Sequence, residues 1–300
     1  MPVVIMALSE QPGFAIRNCR EFNLVGKPTL AAKIPTQTSY WGSANDRGAG
    51  VTTAFDGAQG TALGNTQVSA SSVTITPGEY GVAHQIIDNV GEDSVLDGLE
   101  LMNLFTNTML FVLQLALDDD YIATFSSISN GVGVTNTTLT VANMIAAQQG
   151  LRVRGAVADS IAYVLDNKQA QDVETQLQSA NAAAAVFALS ADRLINYAPA
   201  AGNGMDSSRK VMAFRGAPVY ASGLTDTANG AVDVLGACLC PTSQFNDATG
   251  ATTHGIAWKR MPRFETQRQA KARGLDVVMT MRAGTGIIQN SSGTLITSKA

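Results

Sequence analysis

The sequence predicts an α+β fold built around one long helix, and three observations support this prediction. Residues 94–125 contain no proline and carry apolar side chains at helical spacing. Residues 46–75 are rich in Gly, Ala, Ser, Thr and Asn and have β-prone ends. Residues 131–250 alternate between strand-like and helix-like patterns, which is typical of a mixed lobe.

The long helix is the clearest element of the chain. Ser94 and Asp97 fit a capping box at its start, where negative charge is favoured. One apolar stripe is expected, made of Val95, Leu99, Met102, Met109, Leu113, Ala116 and Ala123. At 1.5 Å per residue the helix would be about 48 Å long, an outlier for a globular domain. Such a rod favours a flat, extended subunit.

A membrane span is the alternative interpretation of this helix. A span needs about 20 mostly apolar residues. Thr106, Asn107, Thr108 and Gln114 interrupt the apolar run, and three aspartates follow it. We therefore expect no membrane contact.

The composition indicates a subunit with much of its surface covered. Of the 300 residues, 45% are apolar and only 15% are charged, below the usual quarter. Other copies of the chain are the expected cover. The N-terminus lacks the pattern of a signal peptide. The odd cysteine count (Cys19, Cys238 and Cys240) favours reduced thiols in a cytosol.

The net charge of −4 hides a segregation of sign along the chain. Residues 46–130 hold eleven acids and one base, whereas residues 251–300 hold eight bases and two acids. Residues 1–45 are also mildly basic, with four bases and two acids. Such asymmetry suggests contacts between these segments.

The segments before the long helix have no core of their own. Prolines punctuate residues 1–45, so an extended arm that packs along another surface is expected, with a disordered tail as the alternative. Residues 46–75 predict a long, projecting hairpin that needs a partner surface.

Local signals predict the elements of the lobe. Thr140 caps a helix over 141–149 that stops at Gly150, and Asp166 caps a second helix from Lys168 to about Ser179. Strands are expected at 161–165, 210–214, 217–221, 232–239 and 275–282.

The order of these segments resembles the major capsid proteins of tailed bacteriophages, the Hong Kong 97-like fold that encapsulins also use. Local matches are IIDNVGEDS from Ile86, ALDDDYIATF from Ala116 and AFRGAPVYASGL from Ala213. The last is similar to the family's strand–Gly–x–Pro–strand turn. The resemblance covers the whole chain.

The resemblance implies a division into named parts. Residues 1–45 correspond to the N-arm and 46–75 to the extended E-loop. Residues 76–130 and 251–300 correspond to the peripheral domain, with a spine helix at about 94–125. Residues 131–250 correspond to the axial domain, which surrounds the capsomer centre.

The sequence departs from some members of the family. No lysine lies between Lys33 and Lys168, so the self-catalysed Lys–Asn cross-link of some members cannot start from the E-loop. The long helical N-terminal extension of other members is also missing, which implies separate scaffolding or none.

Patterns that would indicate an enzyme are weak. The chain has two histidines, His84 and His254, and no Gly-x-Ser-x-Gly elbow or Walker loop. Three aspartates in a row (118–120) cannot converge on one ion, because successive helical side chains point about 100° apart. The basic run after residue 258 suggests nucleic-acid binding, which the acidic net charge weakens.

We therefore expect a self-assembling capsid subunit that forms pentamers and hexamers in an icosahedral shell around double-stranded DNA. Portal, scaffolding and decoration proteins are the other expected partners, with no cofactor, no metal and no catalysis. The expected locations are the virion and, during assembly, the host cytoplasm. An encapsulin-type compartment and a soluble α/β ligand-binding protein or hydrolase remain alternatives. The candidate subunit-contact residues are Asp56, Asp118, Asp119, Asp120, Arg17, Arg20, Arg268, Lys271, Arg273 and Arg282.

Overall fold

The structure is a computed structural model of the 300-residue chain. It describes residues 14–37, 70–88, 98–154, 161–183, 210–225, 227–241, 252–271 and 273–300. The helices are α1 (Phe14–Asn18), α2 (Gly98–Ala123), α3 (Val141–Val153) and α4 (Asn167–Ala183). The first strands are β1 (Cys19–Asn23), β2 (Ala32–Gln37), β3 (Ala70–Ile75), β4 (Gly78–Ile87), β5 (Gly131–Gly133) and β6 (Ala162–Asp166). The others are β7 (Lys210–Phe214), β8 (Ala217–Ser222), β9 (Thr227–Ala228), β10 (Asp233–Leu239), β11 (His254–Gln269), β12 (Gly274–Ile287) and β13 (Gly293–Lys299).

A four-stranded sheet forms the first part of the molecule, in the order β1-β11-β12-β4. β1 runs parallel to β11, and the other neighbours are antiparallel. β12 buries Val277, Met279 and Met281 at every second residue, as a strand with one core-facing side must. The alternation that the sequence shows over 275–282 is therefore confirmed.

Helix α2 packs on this sheet through a stripe that differs from the expected one. Met109 and Leu113 are buried as predicted, and the stripe continues through Leu117 and Tyr121. Ala116 is half-buried and Ala123 is exposed. The four-residue steps keep these side chains on one face, where they join a core cluster with the buried β12 residues. Each large apolar side chain buried there contributes about 1.5–3 kcal/mol.

A seven-stranded sheet forms the second part. Six strands follow the order β5-β13-β10-β6-β8-β7, and β9 pairs with β10. Its core includes Tyr163, Leu165 and Phe214 together with Met144 and Leu151 of α3. This is the mixed lobe that the sequence predicts.

β13 belongs to the second sheet, although the expected division assigns all of 251–300 to the part that contains the long helix. β13 pairs with β10 from Asp233↔Lys299 to Leu239↔Gly293. Ile296 lies in the core of the second sheet, and Leu295 packs against the cluster around α2. Because β13 pairs with β10 on one side and with β5 on the other, it is a central strand rather than an edge.

A two-stranded hairpin formed by β2 and β3 is the third sheet. Its apolar residues Ile34 and Ile75 form a small cluster with Ala257 of β11. The sequence predicts a hairpin within 46–75; β3 covers 70–75, and residues 46–69 lie outside the described residues. Ser94 and Asp97, the expected cap of the long helix, also lie outside them.

Local signals account for several boundaries. Thr140 caps α3 by accepting a hydrogen bond from the Asn143 amide at 3.3 Å. Asp166 accepts from the Lys168 amide at 2.6 Å at the start of α4. Arg215 and Gly216 both have positive φ between β7 and β8, as a tight hairpin turn requires. None of the helices in the described ranges is long and apolar enough to cross a membrane.

Candidate functional site

His254 is buried at the start of β11 and is held by the end of α2. Its Nε2 lies 2.9 Å from Thr124 Oγ1. The Thr124 hydroxyl donates to the Tyr121 carbonyl oxygen at 2.6 Å, so the imidazole Nε2–H donates to Thr124. The rings of Tyr121 and Phe125 pack at 4.9 Å and 5.7 Å. Burial lowers the pKa of His254 to about 3, so this side chain is a neutral part of the core.

The other reactive residue types are also in structural positions. His84 is exposed on β4, with its ring 6.2 Å from that of Phe105. The three cysteines are buried, and burial raises the pKa of Cys19 and of Cys238. Protonated, buried thiols are poor nucleophiles. Within the described ranges, no three His, Cys, Asp or Glu side chains are grouped as a metal site.

The three aspartates at the end of α2 have different environments. Asp118 is 1% exposed, and its Oδ1 accepts from the Ala15 amide of α1 at 2.8 Å. Asp119 and Asp120 are exposed, and the Tyr80 hydroxyl of β4 donates to Asp120. Burial and this hydrogen bond raise the pKa of Tyr80. Asp118 therefore joins α1 to α2 inside the subunit, and its role in a contact between subunits stays a prediction.

Two ion pairs join the acidic and basic blocks of the chain within the subunit. Arg268 donates to both carboxylate oxygens of Asp88, at 2.5 Å and 2.7 Å. Arg260 pairs with Glu79 at 2.5 Å. Glu79 belongs to β4 and Asp88 directly follows it, whereas the arginines belong to β11. The predicted contact between the two blocks is therefore confirmed within one subunit.

The arginine rows extend across the sheet. Arg260 is paired in register with Arg282, and Arg282 with Glu79, so three charged residues lie in one row over β11, β12 and β4. Glu79 and Asp88 were not among the predicted contact residues. Their signal in the sequence is that one acid lies at each end of the 78–87 strand pattern.

The other candidates lie at separate places. Arg20 is exposed on β1, its guanidinium carbon 5.6 Å from the centre of the Phe22 ring. Lys271 and Arg273 are exposed in the turn between β11 and β12, and Arg282 is half-buried. Arg17 belongs to α1, but its side chain is outside the described part of the structure, as is the whole of Asp56. The candidates that the structure describes thus form no single site.

Solved structures share this fold. The capsid of the cyanophage P-SCSP1u matches with a TM-score of 0.66 and 10% identity, over 99% of this chain and 91% of that one. The head of the Helicobacter pylori bacteriophage KHP40 matches with a TM-score of 0.62 and 12% identity, over 99% and 92%. The SrpI encapsulin of Synechococcus elongatus PCC 7942 matches with a TM-score of 0.60 and 8% identity, over 98% and 92%.

Sequence comparison gives no further relatives, since neither a family model nor a curated protein matches the chain. The likeness therefore lies in the arrangement of elements along nearly the full length of both chains. The chain has the fold of tailed-phage major capsid proteins, the fold that its sequence resembles.

Proposed function

We propose that this chain is a major capsid protein that self-assembles into an icosahedral shell enclosing double-stranded DNA. The observation that carries the proposal is the match with whole capsid subunits, over 99% of this chain and 91% of the cyanophage protein. A protein that shared only one sheet or one helix with this chain would match over only part of the chain length. The work of such a protein lies in contacts repeated between copies rather than in catalysis.

The proposed parts follow the family's division, with one adjustment. Residues 1–45 are the N-arm and 46–75 the E-loop. The four-stranded sheet and α2 form the peripheral domain, with α2 as the spine helix, and the seven-stranded sheet forms the axial domain. The pairing of β13 with β10 supports assigning 293–299 to the axial domain.

We also propose the assembly partners that this role requires. Pentamers and hexamers of the chain build the shell, a portal occupies one vertex, and scaffolding or decoration proteins are separate chains. The DNA is enclosed without sequence-specific binding, consistent with a net charge of −4. The particle forms in the host cytoplasm and becomes the virion.

The mass of the purified protein in solution tests this proposal. Size-exclusion chromatography with light scattering should give capsomers or shells, many times the 31.3 kDa of one chain. A monomer or dimer under all assembly conditions would instead support the soluble ligand-binding or hydrolytic alternative.

An encapsulin-type compartment is the second candidate function, because the Synechococcus encapsulin matches with a TM-score of 0.60. The contents of particles purified from their natural source distinguish the two. Nuclease-protected DNA of uniform length supports a phage capsid, whereas one enriched cargo protein without DNA supports the compartment.

A further inference from the structure

β11 has an open edge over its second half. β1 pairs with β11 only from Cys19↔His254 to Asn23↔Trp258, and the chain then turns away, with Gly26 at a φ of +75°. The ammonium group of Lys259 binds back to the Thr29 carbonyl oxygen at 2.9 Å. Beyond that point no strand among the described residues pairs with the outer side of β11.

A hydrogen bond next to the paired ends of β12 and β4 shows which backbone groups of β11 face this edge. The Asp88 amide donates to the Arg273 carbonyl oxygen at 2.8 Å, so residue 273 faces β4. In an antiparallel ladder alternate residues face opposite neighbours, so Leu275, Val277 and Met279 also face β4. Their β11 partners are Arg268, Thr266 and Phe264, whose N–H and C=O groups therefore point away from β12.

The other side of the sheet gives the same alternation. The Leu24 amide donates to the Trp258 carbonyl oxygen at 2.8 Å, so residue 258 faces β1. Its partner in β12 is Ala283. Ala283 is an even number of residues away from Leu275, Val277 and Met279, so it faces β4 as they do. The outward groups of Phe264, Thr266 and Arg268 thus continue the edge on which β1 already pairs.

The open edge is exposed and positively charged. Residues 261–263 and 265–268 are exposed, with Met261 at 47%. Arg263, Arg268 and Lys271 lie along or just beyond it; Arg263 pairs with Glu265 at 2.9 Å and Arg268 pairs with Asp88, which leaves a net charge of +1 over these five side chains. An open strand edge is a template for another strand, and this charge suits an acidic one. The chain has eleven acids and one base in residues 46–130.

We propose that the edge of β11 at residues 264–268 accepts an extended segment of a second copy of this chain, as a further strand of the four-stranded sheet. The inference rests on the proposed shell function, because it names one contact between copies. Backbone hydrogen bonds of the kind that β1 makes supply the pairing, and the net positive charge of the edge, with Lys271 at its end, orients the acidic partner.

Hydrogen exchange tests the pairing directly in the full chain, as free subunit and as assembled shell. The outward amides of Phe264, Thr266 and Arg268 should exchange fast in the subunit and become protected in the shell. Amides of β12, paired on both sides, are the internal control and stay protected in both. Unchanged exchange at the three amides in the shell would overturn the inference while leaving the shell function intact. Failure of the wild-type chain to assemble would overturn both.

Proline substitutions give a second, matched test. Thr266→Pro removes an outward N–H and should leave the subunit folded but abolish shells. Thr266→Ala keeps that N–H and should assemble. Gln267→Pro removes an N–H that faces β12 and should destabilise the subunit itself. Normal shells from Thr266→Pro, or equal unfolding of the two proline variants, would overturn the inference.

Discussion

Asp118 lies in a run of three aspartates, yet it is the buried one, 1% exposed. It precedes Ile122 and Phe125, both fully buried, by four and seven residues, so all three lie on one helical face. This spacing could be read from the sequence. It was overlooked because an acidic residue within a polar run is expected to be exposed to solvent. The amide of Ala15, far away along the chain, donates to this carboxylate and helps to explain its burial.

Replacing Asp118 with Ala should therefore destabilise the unassembled subunit. The Ala15 amide would lose its buried acceptor, which costs about 1–3 kcal/mol. Asp119→Ala is the matched control, since Asp119 is exposed and such changes stay within about 0.5 kcal/mol. Urea unfolding of both variants measures the difference, and equal midpoints would contradict the role given to Asp118.

His254 should make the subunit sensitive to acid. Its pKa is about 3 in the folded state, against an ordinary value of 6.5, so the unfolded state binds the proton first. The contribution of this residue is complete above pH 6.5 and is lost as the pH falls toward 3, by about 1.4 kcal/mol per unit. Burial also raises the pKa values of Cys19 and Tyr121 nearby, so neither titrates in this range.

The free energy of unfolding of wild type and His254→Gln, measured between pH 4.5 and 7.5, isolates this effect. The wild-type curve should fall more steeply toward acid, because only the wild type has this buried imidazole to protonate. The carboxylates titrate equally in both proteins. Parallel curves would show that His254 does not carry the dependence.

Among the elements, long periodic patterns and helix caps could be predicted from the sequence, whereas the end of a helix could not. The alternation of β12 and the caps Thr140 and Asp166 lie within single segments, so the sequence reveals them. Gly150 was expected to end α3, but the helix continues to Val153. The Gly150 carbonyl oxygen accepts hydrogen bonds from the Arg154 amide at 3.3 Å and from the Arg154 Nε at 3.0 Å. These bonds stabilise one more helical turn after Gly150. The place of β13 depends on β10, which no local pattern reveals.

The buried stripe of α2 gives a prediction at this scale. Leu113→Ala should destabilise the subunit by about 2–5 kcal/mol through lost burial and a cavity. Val112→Ala, one residue earlier and 40% exposed, should cost far less. Thermal unfolding compares the two, and similar losses would mean that another face of α2 packs on the sheet.

The Gly-rich stretch 46–69 should be needed for assembly but not for folding. β2 and β3 are paired from Ala32↔Ile75 to Gln37↔Ala70, so residues 38–45 can still connect them after a deletion of 46–69. A subunit with normal unfolding that fails to form shells is expected. We expect the partner surface that this loop needs to belong to a neighbouring subunit, and normal shells from the deletion would refute that expectation.

For the whole molecule, segment order predicted the fold although local motifs were weak. The capsids of the cyanophage and of phage KHP40 have only 10% and 12% identity to this chain, so packing patterns rather than particular residues carry the resemblance. The individual contacts between surface side chains were harder to predict from the sequence. Charge segregation predicted that the two blocks meet, but the pairs Arg268–Asp88 and Arg260–Glu79 depend on strand register.

The lysine distribution predicts shells without covalent cross-links from the E-loop, since no lysine lies between Lys33 and Lys168. Mature particles boiled in detergent should give one band near 31.3 kDa. A ladder of covalent oligomers would contradict this prediction.

Electron cryomicroscopy of the assembled protein tests the central claim most directly. The account predicts closed icosahedral shells built of pentamers and hexamers, with the seven-stranded sheet near each capsomer centre and α2 with the four-stranded sheet at its periphery. Particles without icosahedral symmetry, or shells with the four-stranded sheet at the capsomer centre, would contradict it.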